Sequence, residues 1–231
     1  MPLRIYQLPT RILTDVLEKF DDIEYLPPVL RAHGCFRIAF RSRSGIAERI
    51  IQRQIHPRLL PLAVANYEVS RFTFTSEDVE GVVQIYMNVL NDPHRFSLRL
   101  RVRSPQRIER PSHSYWVIPI GMGDLLQMGR IHNYIRVFVK TYALWACHEI
   151  TASSDPIVLT EAEELRFFVV FYRLELFLKL CEGDRVGGER FGETRTFRVL
   201  SLLPPWEQEQ LACVCWCLQT LCQGKTSLYP S

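Results

Sequence analysis

The sequence predicts a mainly α protein, a multi-helix orthogonal array with at most a short β-hairpin. Three observations carry this expectation. Apolar residues recur at three- and four-residue spacing in most segments. Proline, glycine or paired aspartates punctuate the gaps between those segments. Hydroxyl–carboxylate or proline start signals stand where several of the periodic runs begin.

The first run opens at Leu8-Pro9, and Pro9 suits the first helical position because its missing N–H is unpaired there anyway. Ile12, Leu13, Val16, Leu17 and Phe20 follow at helical spacing, and Asp21-Asp22 break the pattern. A second helix is expected from about Ile23, with Pro27-Pro28 in its turn or first positions, an apolar face of Val29, Leu30, Cys35, Phe36, Ala39 and Phe40, and Gly34 weakening its middle. The third runs from Ile46 to Ile55 and ends before Pro57; the fourth spans Leu59 to Val69.

Thr75 to Asp78 reads as a capping box, a hydroxyl followed three residues later by a carboxylate. Val79, Val82, Val83, Tyr86 and Leu90 then form an apolar stripe that Asn91-Asp92-Pro93 stops. Residues 92–119 form a basic excursion holding Arg95, Arg99, Arg101, Arg103, Arg107 and Arg110, with a strand-like alternation from Phe96 to Val102. Helical spacing resumes after Gly123, from Leu125 to Trp145. Thr160 and Glu163 make a second capping box before a strongly apolar helix through Leu180. Residues 183–195, rich in glycine and charge, read as a loop, and Pro204-Pro205 introduce a last helix from Trp206 to Leu221, with Gly224 as its cap.

Hydrophobic residues make up 47% of the 231 positions and charged residues 23%, enough apolar material for a core without metal or disulfide staples. A net charge of +3 is too modest to point to a polyanionic partner. The seven cysteines are odd in number and lie mostly in apolar helical patterns, and Met1 to Leu13 carries no apolar signal core. Reduced, buried thiols in the cytosol or nucleus are therefore expected. The longest apolar run, Phe167 to Tyr172, is far too short for a membrane span.

No assembled chemistry emerges. Cys213, Cys215 and Cys217 alternate along a helix, which places Cys215 away from the other two, and no histidine pair follows Cys217 and Cys222 to complete a zinc set. These cysteines are expected to be buried and inert. Cys147-His148 are adjacent, and neighbours on a helix point about 100° apart. Glu161, Glu163 and Glu164 fit first-turn capping better than acid–base work. One or both of Arg173 and Glu175 are expected to form structural ion pairs with other segments, and Trp206 to pack the last helix onto the core. No phosphate loop, nucleophile elbow or paired-histidine metal motif occurs. No catalytic residue, metal or cofactor is implied.

Leu8-Pro9-Thr10-Arg11-Ile12-Leu13, with Val16-Leu17 and Phe20, resembles the opening of an F-box, and Tyr25-Leu26 to Ala39-Phe40 resembles its second half. Leu59 to Ala63, Leu159 to Glu163, Phe171 to Leu176 and Pro205 to Ala212 together resemble a fungal group of F-box-like proteins. The resemblance implies a three-helix F-box-like segment over residues 1–45 and a helical C-terminal region over 46–231 packed against it. It also implies docking into a Skp-type adaptor through Leu8, Pro9, Ile12, Leu13 and Leu17, and an unidentified protein substrate for a cullin-RING ubiquitin ligase. Periodicity alone favours packing of these five residues on the chain's own core.

Two alternatives stay open. Arg11 stands where F-boxes commonly carry glutamate, which favours a stand-alone helical interaction protein without a ligase role. The arginine run, with Phe96, Tyr115 and Trp116 nearby, would suit nucleic acid, although a solvated basic loop explains it more simply. No membrane partner is expected.

Overall fold

The computed structural model describes residues 5–71, 121–151, 159–182, 200–201 and 203–223. Among these residues the secondary structure is helical throughout: eight α-helices, two single 3-10 turns and no strand. The helices are α1 Thr10–Glu18, α2 Leu26–Ala32, α3 Gly34–Ser42, α4 Ile46–Gln54, α5 Leu60–Arg71, α6 Met122–Thr151, α7 Glu161–Glu182 and α8 Pro205–Cys222. The mainly α class read from periodicity is therefore what the chain adopts. The first capping box, the basic excursion with its possible hairpin, the glycine-rich loop and Gly224 lie outside the described residues. The described chain divides into two compact units. One holds the residues through Leu60 together with 121–131; the other holds Pro61 to Arg71 and the residues from His132 onward.

The first unit is built from short helices whose ends are closed by specific groups. Pro9 stands one position earlier than its sequence suggests, at the N-cap, with an extended ψ of 142°. Its carbonyl accepts from the amides of Ile12 at 2.9 Å and Leu13 at 3.3 Å. The single second helix expected from Ile23 onward is instead a 3-10 turn, Ile23–Tyr25, followed by α2 and α3. His33 makes the break. Its backbone is extended (φ −152°, ψ 139°), and its Nδ1 accepts from the Cys35 amide at 3.2 Å as the N-cap of α3. Gly34 thus opens a helix, where low propensity costs little, rather than weakening the middle of one. Gly45 begins α4 at φ 78°, a conformation that side chains with a Cβ rarely adopt.

This unit extends past residue 45, because α4 supplies much of its closure. Gln54 accepts from the Ile23 amide through Oε1 at 3.0 Å and donates from Nε2 to Asp22 at 3.1 Å. Arg53 donates to the carbonyls of Glu18 and Phe20, filling acceptors that α1 leaves open at its C-terminus. Glu18 receives both Arg49 at 2.6 Å and Arg43 at 3.0 Å. Beneath this polar lacing, Leu17, Ile23, Leu26, Ile46, Ile50, Ile51 and Ile55 are fully buried. The start of α6 joins them through Leu125 and Met128. Gly129 allows this approach: a Cβ there would run into Cγ2 of Ile23.

The second unit is organised around α5 and α7. Leu62 to Tyr67 of α5 is buried at every position, so the helix is apolar all round as an interior helix should be. Its one polar core residue, Asn66, is fully buried, and its amide donates to the carbonyls of Leu62 at 3.0 Å and Tyr172 at 2.9 Å. α7 starts at the second capping box as the sequence indicates. Glu163 accepts from the Thr160 amide at 2.8 Å and hydroxyl at 2.6 Å, and the Glu163 amide donates back to Thr160 at 3.3 Å. α7 packs on α8, and Arg173 crosses between them to Glu207 at 2.8 Å.

Candidate functional site

α1 carries two apolar stripes, and only one of them is used inside its unit. Leu13 and Leu17, four residues apart, face inward; Leu17 is 0% exposed. Thr14 lies beside them, with its hydroxyl donating to the Thr10 carbonyl at 2.9 Å and reaching the Ala39 carbonyl at 3.4 Å. Ile12 and Val16, each one position earlier, are also four residues apart and therefore share a different face. That face is open: Ile12 is 45% exposed and Val16 is 44% exposed. Pro9 is exposed on the turn before them, and Leu8 is half-buried. Ile5 and Tyr6 extend the exposed apolar surface toward the N-terminus.

The five residues of the expected docking face are thus divided. Pro9 and Ile12 are available to a partner, Leu8 in part. Leu13 and Leu17 belong to the chain's own core, because a nine-residue helix holds its place only by burying a stripe of its own. Val16, outside the five residues expected to dock, is available instead. The signal was its i, i+4 relation to Ile12. Arg11 is exposed next to the stripe, and Asp15 on the same helix lies 3.7 Å from Arg43. The six arginines of the basic excursion, Arg95, Arg99, Arg101, Arg103, Arg107 and Arg110, lie outside the described residues.

The remaining candidates resolve into structural roles where they are described. Glu163 is a cap, and the two hydrogen bonds from Thr160 hold its carboxyl below the ordinary range. Glu161 is exposed in the same first turn. Arg173 pairs with Glu207 on another helix, which meets the expectation that one or both would bridge segments, and Glu175 pairs with Lys179 within α7 at 3.0 Å. Trp206 does not anchor the last helix. It is 63% exposed, because the inward stripe of α8 runs through Leu211, Val214 and Cys217 and begins one turn later. Leu203 is the buried residue at that end.

The cysteines also divide. Cys217 is buried, and burial pushes its thiol up to about 11. Cys213 and Cys215 flank the inward stripe and are exposed, contrary to the expectation that all three are buried. Partial desolvation against the neighbouring apolar side chains raises the Cys215 thiol as well, so neither it nor Cys217 is poised as a thiolate nucleophile. Among the described residues no group of three His, Cys, Asp or Glu side chains converges on a metal-sized site. The side chains of Cys147, His148, Cys181 and Cys222 are outside the described set.

One concavity escaped the sequence altogether. An open groove of about 400 Å³ lies between α7 and α8, lined by Leu174, Phe177, Leu200, Leu211, Ala212 and Cys215, with Gln208 and Glu209. Its walls are mostly apolar, and the Glu209 carboxylate and the raised Cys215 thiol are the ionisable groups among its lining residues.

No family model, no curated protein and no solved structure matches the chain. Among the described residues, no helix is long and apolar enough to cross a membrane.

Proposed function

We propose that this chain is an F-box-like substrate-receptor adaptor of a cullin-RING ubiquitin ligase, binding a Skp-type adaptor through its N-terminal helices. The observation that supports the reading is the second apolar stripe of α1. Pro9, Ile12 and Val16 are held in the open by a helix whose other stripe, Leu13 and Leu17, secures it to a small unit. A short amphipathic element that offers an ordered apolar face without sacrificing its own core is what helix docking into a partner groove requires. In this reading the chain acts in the cytosol or nucleus and contributes proximity between a protein substrate and enzymes supplied by its partners.

The test is a pull-down of the full chain with a purified Skp-type adaptor, alongside an Ile12→Ser/Val16→Ser variant. These positions are chosen because they are exposed; changing Leu13 would unfold the unit and mimic a loss of binding. Wild-type binding that the double variant abolishes, with unchanged circular dichroism, is the expected result. A folded wild-type chain that does not bind at micromolar concentration removes the adaptor reading. It leaves the second one, a stand-alone helical interaction protein, which the exposed Arg11 beside the stripe favours.

A further inference from the structure

The outer face of α3 combines exposed positive charge with an exposed apolar residue. Phe36 and Ala39 face inward, where α3 packs on α1 and α2. Gly34, Arg37, Ile38 and Arg41 fall at i, i+3, i+4 and i+7, which is a single stripe on the opposite side. Ile38 is 65% exposed. Arg37 and Arg41 are exposed as well. A Cβ placed at Gly34 would meet nothing within 4 Å except the Arg37 guanidinium, so the backbone at that end of the stripe is open.

Among the described residues this charge meets no carboxylate. Between Tyr25 and Ala47 the sequence holds Arg31, Arg37, Arg41 and Arg43 and no aspartate or glutamate. Arg43 is taken by Glu18 and Asp15, and Glu18 also receives Arg49. α2, the other helix packed on α3, carries no carboxylate. Among the described residues Arg37 and Arg41 therefore form no ion pair, while the carboxylates of α1 are already committed elsewhere.

We propose that this α3 face is a docking surface for an acidic, partly apolar segment of a partner protein. Its carboxylates would sit on Arg37 and Arg41, and an apolar side chain would cover Ile38. Guanidinium groups favour planar carboxylate recognition, and two of them one turn apart match carboxylates one turn apart on a partner helix. A protein segment suits the face better than nucleic acid, because the stripe places an aliphatic side chain between its cations and no aromatic ring on which a base could stack. The face lies on a different helix from the α1 stripe, and the inference does not rest on the ligase reading.

Fluorescence anisotropy with the full chain and a labelled amphipathic glutamate/leucine peptide of roughly 20 residues, long enough to form helix, tests it. Arg37→Glu/Arg41→Glu is expected to weaken binding by about tenfold or more, and Ile38→Ser by about threefold or more. Arg136→Glu/Lys140→Glu, the same charge change on exposed α6 positions four residues apart, is expected to change it by less than about twofold. Ile12→Ser/Val16→Ser is likewise expected to leave it unchanged, which separates this face from the α1 stripe. Equal losses in both charge-reversed pairs, or no loss at Arg37 and Arg41, would overturn the proposal. So would tighter binding of single-stranded DNA that the Arg37/Arg41 variant abolishes, which would assign the face to nucleic acid.

Discussion

Asn66 and Tyr172 join the two central helices of the second unit through one short contact, the Asn66 side-chain amide donating to the Tyr172 carbonyl at 2.9 Å. Both residues are fully buried. Their tie is extended by Lys179, which donates to the Asn66 carbonyl at 3.3 Å, and by His132, whose Nδ1 lies 3.0 Å from the Tyr172 hydroxyl. The ring of His132 also stacks on Phe168 at 5.1 Å. A polar network in an apolar core aligns helices that hydrophobic packing alone would leave free to slide.

Asn66→Ala removes two buried hydrogen bonds and leaves a small void. A loss of about 2–3 kcal/mol is expected, read from the denaturation midpoint at unchanged m-value. A variant as stable as the wild type would show that α5 is aligned by its alanines and leucines alone.

Gly129→Ala should destabilise, against the rule for helices. Helix propensity by itself favours alanine by about 1 kcal/mol. Here the added methyl meets the Ile23 side chain, and overpacking of that kind costs about 1–3 kcal/mol. A higher melting temperature for the alanine variant would mean that α6 and the Ile23 turn do not approach as closely as they do here.

The two stripes of α1 should respond oppositely to truncation. Leu17→Ala is expected to cost about 2–5 kcal/mol. Ile12→Ser, on the exposed stripe, should stay within about 0.5 kcal/mol of wild type. Thermal melts of the two variants side by side check this, and comparable losses would place Ile12 in the core.

Stability should fall on the alkaline side. Burial raises the Cys217 thiol from 9.0 to about 11, so folding favours its neutral form. The sign follows from linkage: the contribution is complete below pH 9 and is lost as pH rises through 11. Burial raises the Tyr172 phenol too, which adds to the decline above pH 10. Cys217→Ala should have a lower melting temperature at neutral pH but a shallower fall between pH 9 and 11. An unchanged slope would assign the decline to the tyrosines.

Glu207→Gln leaves the Arg173 guanidinium, only 15% exposed, without its carboxylate. A cost of about 1–3 kcal/mol is expected, whereas Arg173→Met/Glu207→Leu should recover much of it, because a paired charge in a core is replaceable by apolar packing. A double-mutant cycle measures the coupling directly.

The sequence by itself determined the helical class, the approximate place of most described helices and the role of the second capping box. Thr160 and Glu163 close on each other as their spacing demands, and Ile46 to Ile55 forms the helix its period describes within one residue. These features depend on contacts within a turn or two of chain. What only the tertiary structure decided depends on distant neighbours. His33 is the local exception, splitting through its own ring cap on the Cys35 amide a helix that apolar periodicity reads as continuous. Leu13 and Leu17 are taken into a core while Ile12 and Val16, equally apolar, are left out. Trp206 stands in solvent although its type favours burial. An apolar period reveals that a helix has a buried face, but which of two apolar stripes is buried is set by the helices that pack against it, and their approach is not written in local spacing.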